Sequence, residues 1–352
     1  MKNKLVSLHG SYFSNNYGDI LLIKLFYRWI QGVSDDIVIN LPMAYKRRVK
    51  ELPTKKYGVF NLLHSKCLIY CGGGYFGEQP KRKIKWSIRN FCRHLIIGII
   101  AVYLRIPIAI IGVEFGPLSV SWFRKCVIWL AKHAQIIVVR NKESREFLEN
   151  YGVDNVIESV DAVLTLLPSE DKKINNNDVL IHIPLISAAP KQYLTMTEVL
   201  INALLNRGIR KVTLIEDTFN QYKKGYESLF SLFEKAGINY SVFSYRGTDA
   251  LIERISFASH VVTTKLHMGI TGAAMNKNVL AIYNHPKTLR FHKQIGNEEN
   301  CLPMSANKED MEKVINHFFD VTFTLDDDIR RKALVTKNST IEFVRQIVIK
   351  TE

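Results

Sequence analysis

Cysteine is scarce: Cys67, Cys71, Cys92, Cys126 and Cys301 are scattered over 352 residues. An odd, dispersed set excludes a disulfide framework, and no cysteine pair or histidine cluster has zinc-ligand spacing, so no metal site is expected. Cys67 and Cys71 bracket an apolar run and read as core. A reducing compartment is the natural setting. No apolar stretch is long enough to span a bilayer; "LIIGIIAVYL", Leu95–Leu104, is about half the length required. The opening "MKNKLVSLHGSYFS" lacks the apolar segment and cleavage site of a secretory signal, so a cytoplasmic location is expected. There is no Gly-Lys-Ser/Thr phosphate loop and no G-x-G-x-x-G dinucleotide fingerprint. Zinc fingers and aromatic RNA-binding segments are missing too, which argues against nucleic acid as a partner.

Acid is also in short supply. Lys and Arg number 48 against 33 Asp and Glu, a formal charge of +15. An excess of this size calls for an anionic partner, either an acidic small substrate or an anionic membrane surface. The charge is densest in "KRKIKWSIRNFCRH", Lys81–His94, which carries Trp86 and Phe91 and runs into Leu95–Leu104. One reading is a buried helix feeding the strand "IPIAIIGV". The other is a basic, aromatic-bearing helix start on an anionic membrane face, with peripheral contact through residues 81–104. The two are compatible.

What is abundant is alternation. Short β-branched runs ("LVSLH", "DIVIN", "CLIYC", "IPIAIIGV", "QIIVV", "NVIESV") are separated by helical patterns at 19–31, 87–104, 122–133 and 142–151. At "PSEDKKINNND", Pro168–Asp178, apolar content falls away, and then the pattern restarts with "VLIHIPLI", "KVTLIE", "YSVFS", "HVVTT" and "NVLAIY". Continuous apolar strands between helices predict parallel sheets. The expected architecture is α/β: two Rossmann-like doubly wound domains, 1–168 and 178–325, with a cleft between them and a helical tail at 326–352. Ligands of such sheets gather at the carboxyl ends of the strands.

The candidate functional residues fall at those ends. After the first strand, Asn15, Asn16 and Asp19 can cap a helix, while Gly18 permits close approach. Gly72, Gly73 and Gly74 follow the third strand and suggest a tight turn or a glycine-lined anion or sugar site. Glu114 lies in "GVEFGPL". Arg140 ends "QIIVV", with Ser144 early in the next helix; the arginine can grip a carboxylate or phosphate, or pair with Glu143 or Glu146 on the surface. In "HVVTTKLHMGITGAAM", Lys265 and His267 precede a helix whose Gly269 and Gly272 allow close packing. His267 in a first helical turn meets free N–H groups that favour anions, although a buried core histidine fits the same pattern. "AIYNHPKTLRFHKQIG" adds His285, Lys287, Arg290 and His292, expected at the same sheet edge.

These turns, in this order, resemble the polysaccharide pyruvyl transferase family. The resemblance rests on "NNYGD", "GGGYFGE", "GVEFGP", "VVRNKES…LENYGV", "SVDAVLTL", "TTKLHMG" and "IYNHPK…IG", from about residue 8 to residue 296. It implies a fold like that of GT-B glycosyltransferases. It also implies transfer of a pyruvyl group from phosphoenolpyruvate, as co-substrate, to two sugar hydroxyls, forming a ketal on a bacterial surface polysaccharide or its lipid-linked precursor. The family's Arg-Leu-His triplet falls on Lys265, Leu266 and His267; its Arg-Asp pair falls on Arg140 and Asn141; Glu114 stands where its pattern has glycine. The implied roles are His267 as acid/base, with Lys265 and Arg140 on the donor's anions. Asn16, Gly18, Asp19, Gly72–Gly74, Glu114, Leu266, Tyr283 and Lys287 would bind substrate, and no metal or other cofactor is implied. A GT-B glycosyltransferase using a nucleotide sugar and a non-catalytic glycan-binding protein are the competing expectations.

Overall fold

The computed structural model describes residues 4–13, 16–44, 51–52, 54, 56–79, 81–168, 178–183, 190–219, 221–223 and 226–349. Asn15 and the interior of the expected linker, 169–177, lie outside them. The chain forms two compact units. The first comprises Met1–Asn15, Asp19–Thr165 and Arg330–Glu352, and the second Asn16–Gly18 and Leu166–Ile329.

In the first unit, β1 (Lys4–His9), β2 (Ile37–Leu41), β3 (Lys56–Tyr57), β4 (Cys67–Phe76), β5 (Ile108–Phe115), β6 (Ile136–Val139) and β7 (Val156–Glu158) form one sheet. Its order is β3-β2-β1-β4-β5-β6-β7. All of its pairings are parallel. The helices are α1 (Tyr17–Gln31), α2 (Lys83–Asn90), α3 (Ile96–Tyr103), α4 (Ser121–Lys132) and α5 (Lys142–Glu149). Strand β5 is buried along its whole length, which is why its sequence is continuously apolar instead of alternating. Leu68, Tyr70, Ile108, Ile110, Val127 and Leu130 belong to one core on this side of the sheet.

Two expectations are corrected. Gly72–Gly74 do not form a turn after the third strand. They lie inside β4, where the register with β5 shifts between Gly73 and Phe76. Gly72 and Gly73 have φ of +39° and +106°, a region side chains avoid, and a Cβ on Gly72 would meet Leu22 of α1 at 2.9 Å. The glycines permit a bulged strand beneath a close helix. Second, the helix expected from Ser87 begins at Lys83, passes through a π turn at Phe91–Leu95 and ends at Tyr103. Its first turn, Lys83–Trp86, alternates lysine with an exposed isoleucine and a buried tryptophan, which hid it from a pattern based on a continuous apolar face.

The second unit contains β8 (Val179–His182), β9 (Lys211–Ile215), β10 (Asn239–Phe243), β11 (His260–Thr263), β12 (Asn278–Tyr283) and β13 (Cys301–Pro303), parallel throughout in the order β10-β9-β8-β11-β12-β13. Its helices are α6 (Pro190–Asn206), α7 (Glu227–Lys235), α8 (Thr248–Phe257), α9 (Leu266–Ala274), α10 (Pro286–Gln294) and α11 (Lys308–Asp320). The last helix, α12 (Asp327–Val344), packs on the first unit. There Ser159 Oγ donates to the Lys332 carbonyl at 2.6 Å and meets the Thr336 hydroxyl at 2.8 Å. Strand order reverses between β1 and β4 in one sheet and between β8 and β11 in the other. These are the positions where open α/β sheets bind ligands.

Candidate functional site

In the second unit, chemistry-bearing side chains meet at the reversal. His182 ends β8 and is fully buried. Its Nδ1 lies 3.2 Å from Thr264 Oγ1, and its Nε2 lies 3.3 Å from Asp217 Oδ1. Asp217 follows β9 and is buried; its backbone N–H donates to Gln221 Oε1 at 2.9 Å, and the Gln221 amide donates to the Ile183 carbonyl at 3.2 Å. The other Asp217 oxygen faces Lys265 Nζ at 3.2 Å. Three neighbouring strand ends thus contribute an imidazole, a carboxylate and an ammonium group to one network. The half-exposed Lys265 is the part open to solvent.

Burial by itself would raise the Asp217 carboxyl. The hydrogen bond and charge of His182, with the ammonium of Lys265, outweigh it and bring the group from 3.8 down to about 2. A depressed carboxylate stabilises the fold above its unfolded pKa, and that contribution is lost as the pH falls through the folded value. The shift is worth about 2 kcal/mol. Thermal melts of wild type and Asp217→Asn should therefore differ at pH 6 and converge between about pH 4 and 2. A constant gap across that window would show that Asp217 does not ionise in this network.

Lys265 is also the N-cap of α9, its amide donating to Thr263 Oγ1 at 3.0 Å. His267 follows in the first turn, as expected, and its carbonyl accepts from Thr271 Oγ1 at 2.8 Å. The Thr271 hydroxyl proton being so used, the Tyr17 hydroxyl donates to Thr271 at 2.9 Å. Gly18, which clusters with this unit, approaches the imidazole so closely that a Cβ there would stand 2.1 Å from His267 Nδ1. The close approach expected of Gly18 is therefore to His267. Leu266 opens α9, Tyr283 ends β12, and Lys287 sits in the first turn of α10 behind the N-cap His285, whose Nδ1 accepts the Lys287 amide at 3.3 Å. His292 does not join this edge. It is buried in the core, 2.9 Å from the Asn297 side chain, and burial pushes it down to about 4.

The first unit places other groups at its own strand ends. The Arg140 guanidinium, just past β6, bonds Glu114 through one terminal nitrogen and Asp161, at 2.9 Å, through the other. All three side chains are buried. Burial works against the arginine's charge, but the two carboxylates more than compensate and raise its pKa. A fork already held this way is not open to a ligand's carboxylate unless a protein carboxylate is displaced. Asn141, where the family pattern has aspartate, is the N-cap of α5 and accepts the Ser144 amide at 2.9 Å, a task either side chain performs. Ser144 Oγ donates to the Phe115 carbonyl at 3.0 Å and accepts the Phe115 amide at 2.8 Å, tying α5 to β5. Asn16 precedes α1, and Asp19 lies in its first turn, where the helix dipole favours an anion.

Sequence reasoning missed a buried chain at the β1–β4 reversal. Tyr12 accepts the Met43 amide at 2.9 Å, and its hydroxyl also lies 2.9 Å from His9 Nδ1. His9 Nε2 lies 3.0 Å from His94 Nδ1, and His94 stacks on Tyr75 with 4.4 Å between ring centroids. Burial pushes His9 down to about 3 and His94 well below its ordinary range. Both rings are therefore neutral at pH 7. Also missed were His182, Asp217 and Gln221. The available signal was a histidine or aspartate closing an apolar strand, in "LVSLH", "VLIH" and "TLIED".

Two parallel sheets of this kind define a pair of Rossmann-like domains of the GT-B type. The UDP-GlcNAc 2-epimerase of Methanocaldococcus jannaschii is similar, with a TM-score of 0.64 at 11% identity over 96% of this chain and 99% of that one. The enzyme of Neisseria meningitidis, bound to UDP-GlcNAc, gives 0.62 at 8% identity over 99% and 100%. Identities this low speak for the fold alone. No curated protein sequence matches the chain. The family model for polysaccharide pyruvyl transferase matches residues 16–286, so the chain belongs to that family. The matched span includes Gly18, Arg140, His182, Asp217, Lys265 and His267.

Proposed function

We propose that this chain transfers a pyruvyl group from phosphoenolpyruvate to two hydroxyls of a sugar, forming a cyclic ketal on a surface polysaccharide or its lipid-linked precursor. The observation that carries the reading is Lys265 and His267 at the start of α9, backed by Asp217 and His182, in a chain of this family. Phosphoenolpyruvate is a small dianion or trianion. The N–H groups of the first helical turn and the Lys265 ammonium suit its phosphate or carboxylate, and Asp217 faces that ammonium. Tyr283 and Lys287 complete the donor's surroundings, and Asn16, ahead of Gly18, is assigned to the sugar.

The atoms balance without a redox partner. The methylene carbon gains a proton and becomes a methyl group, the bond from the central carbon to the phosphate oxygen breaks, and two sugar oxygens bond that carbon. Of the two hydroxyl protons, one ends on the methyl group and the other leaves with phosphate. His267 is the acid/base, since an imidazole can both take a hydroxyl proton and deliver one near neutral pH. Lys265 offsets charge on the departing phosphate. Arg140 is assigned to positioning, because Glu114 and Asp161 already occupy its guanidinium.

Calorimetric titration of the full chain should give binding of phosphoenolpyruvate and none of nucleotide sugars at the same concentration. Binding of one nucleotide sugar instead would place the chain with glycosyltransferases. Binding of glycan alone would favour a non-catalytic protein.

A further inference from the structure

We propose that the outer face of α2, with its neighbour on the same side of the first sheet, docks onto an anionic lipid bilayer. The helix from Lys83 to Tyr103 turns Trp86, Ser87, Asn90, His94 and Leu95 into the protein. Outward, at four-residue spacing, it presents Ile84, Ile88 and Cys92, the isoleucines 66% and 53% exposed. One neighbour adds to this surface. On α4, Trp122 is 42% exposed and rests edge-on against Phe91, with ring centroids 5.7 Å apart. Large apolar side chains left in solvent on one layer mark an interaction surface.

Charge identifies the partner. Lys81, Arg82, Lys83, Lys85 and Arg89 are all exposed, and residues 81–94 contain no Asp or Glu. The carboxylate paired with Lys83 is Glu78, at 2.9 Å. A second copy of this chain would bring cations against cations. A polyanion in water would satisfy the cations and leave the isoleucines exposed. An anionic bilayer accepts both, with cations among the headgroups and Ile84, Ile88 and Trp122 at the acyl boundary. The docking surface also lies earlier than the sequence suggested. Leu95, Ile97 and Ala101 of the apolar run are core residues, so contact belongs to 81–92 and not to 95–101. No described helix is long and apolar enough to cross a membrane. This inference does not depend on the donor chemistry.

The test is co-sedimentation of the full chain with phosphatidylcholine vesicles, and with vesicles half phosphatidylglycerol. Binding is expected only to the second. Lys81→Gln/Lys85→Gln/Arg89→Gln should weaken it about a hundredfold, roughly fivefold per cation. Ile84→Ser/Ile88→Ser should weaken it about tenfold. Both variants change exposed positions, so unchanged melting controls for folding. Cys92 is the exposed cysteine among the described residues. In a Cys126→Ser background, an environment-sensitive fluorophore on Cys92 should report an apolar setting on anionic vesicles. Equal binding to both vesicle types, or binding to neither, overturns the proposal. So does binding that the charge variant abolishes while the isoleucine variant and the Cys92 reporter show no change, since that is the behaviour of a polyanion site in water.

Discussion

Replacing Arg140 with alanine destabilises the first unit by about 3–5 kcal/mol. The guanidinium holds Glu114 from β5 and Asp161 from the segment after β7, and Asp161 in turn accepts the Val163 amide at 3.0 Å. Without the arginine, two buried carboxylates lose the guanidinium that bridges them, and burial favours their protonated forms. The folded variant therefore takes up protons that the unfolded chain releases, so its stability falls as the pH rises. The gap to wild type is widest at neutral pH and narrows on acidification. Urea denaturation at pH 7 and pH 5 measures both effects. A loss below about 1 kcal/mol at pH 7 would mean that the three side chains do not form a buried ionic network.

Replacing His267 with alanine lowers turnover at least about a hundredfold, the usual minimum for a lost acid/base. Phosphate release from phosphoenolpyruvate in the presence of acceptor is the readout. Affinity for phosphoenolpyruvate stays within about threefold, because Lys265 and the N–H groups of α9 remain. A loss of turnover with unchanged affinity distinguishes an acid/base from a residue that only shapes the site. The residue is part-buried, with its Nε2 shielded from solvent and its ring packed against Gly18, so melting of the variant is measured alongside to show that the fold is retained. Near-normal turnover would remove His267 from the chemistry.

The fold was readable where apolar strands are long enough to declare themselves. β5, with eight buried residues, was plain in the sequence. β3 has two residues and β13 three, and no pattern of period two can be established over so short a run. The glycine run was seen but misplaced, because a bulge inside β4 and a turn after it use the same residue type. The site was readable only where its members are neighbours in sequence. Lys265 and His267 flank one helix start and were found together. His182 and Asp217 are 35 residues apart, and each alone looks like an ordinary strand end. Arg140 was found but given a ligand to hold, since its carboxylate partners lie 26 and 21 residues away. Only the sheet order, which places β5, β6 and β7 side by side, brings them to it.

The measurement that tests the central claim most directly is titration of phosphoenolpyruvate into wild type and Lys265→Met in parallel. Wild type should bind, and the variant should bind about tenfold or more weakly, the cost of losing one charge-assisted contact to an anion. Equal affinity in the two proteins, or no heat from either, would contradict a phosphoenolpyruvate site at the start of α9.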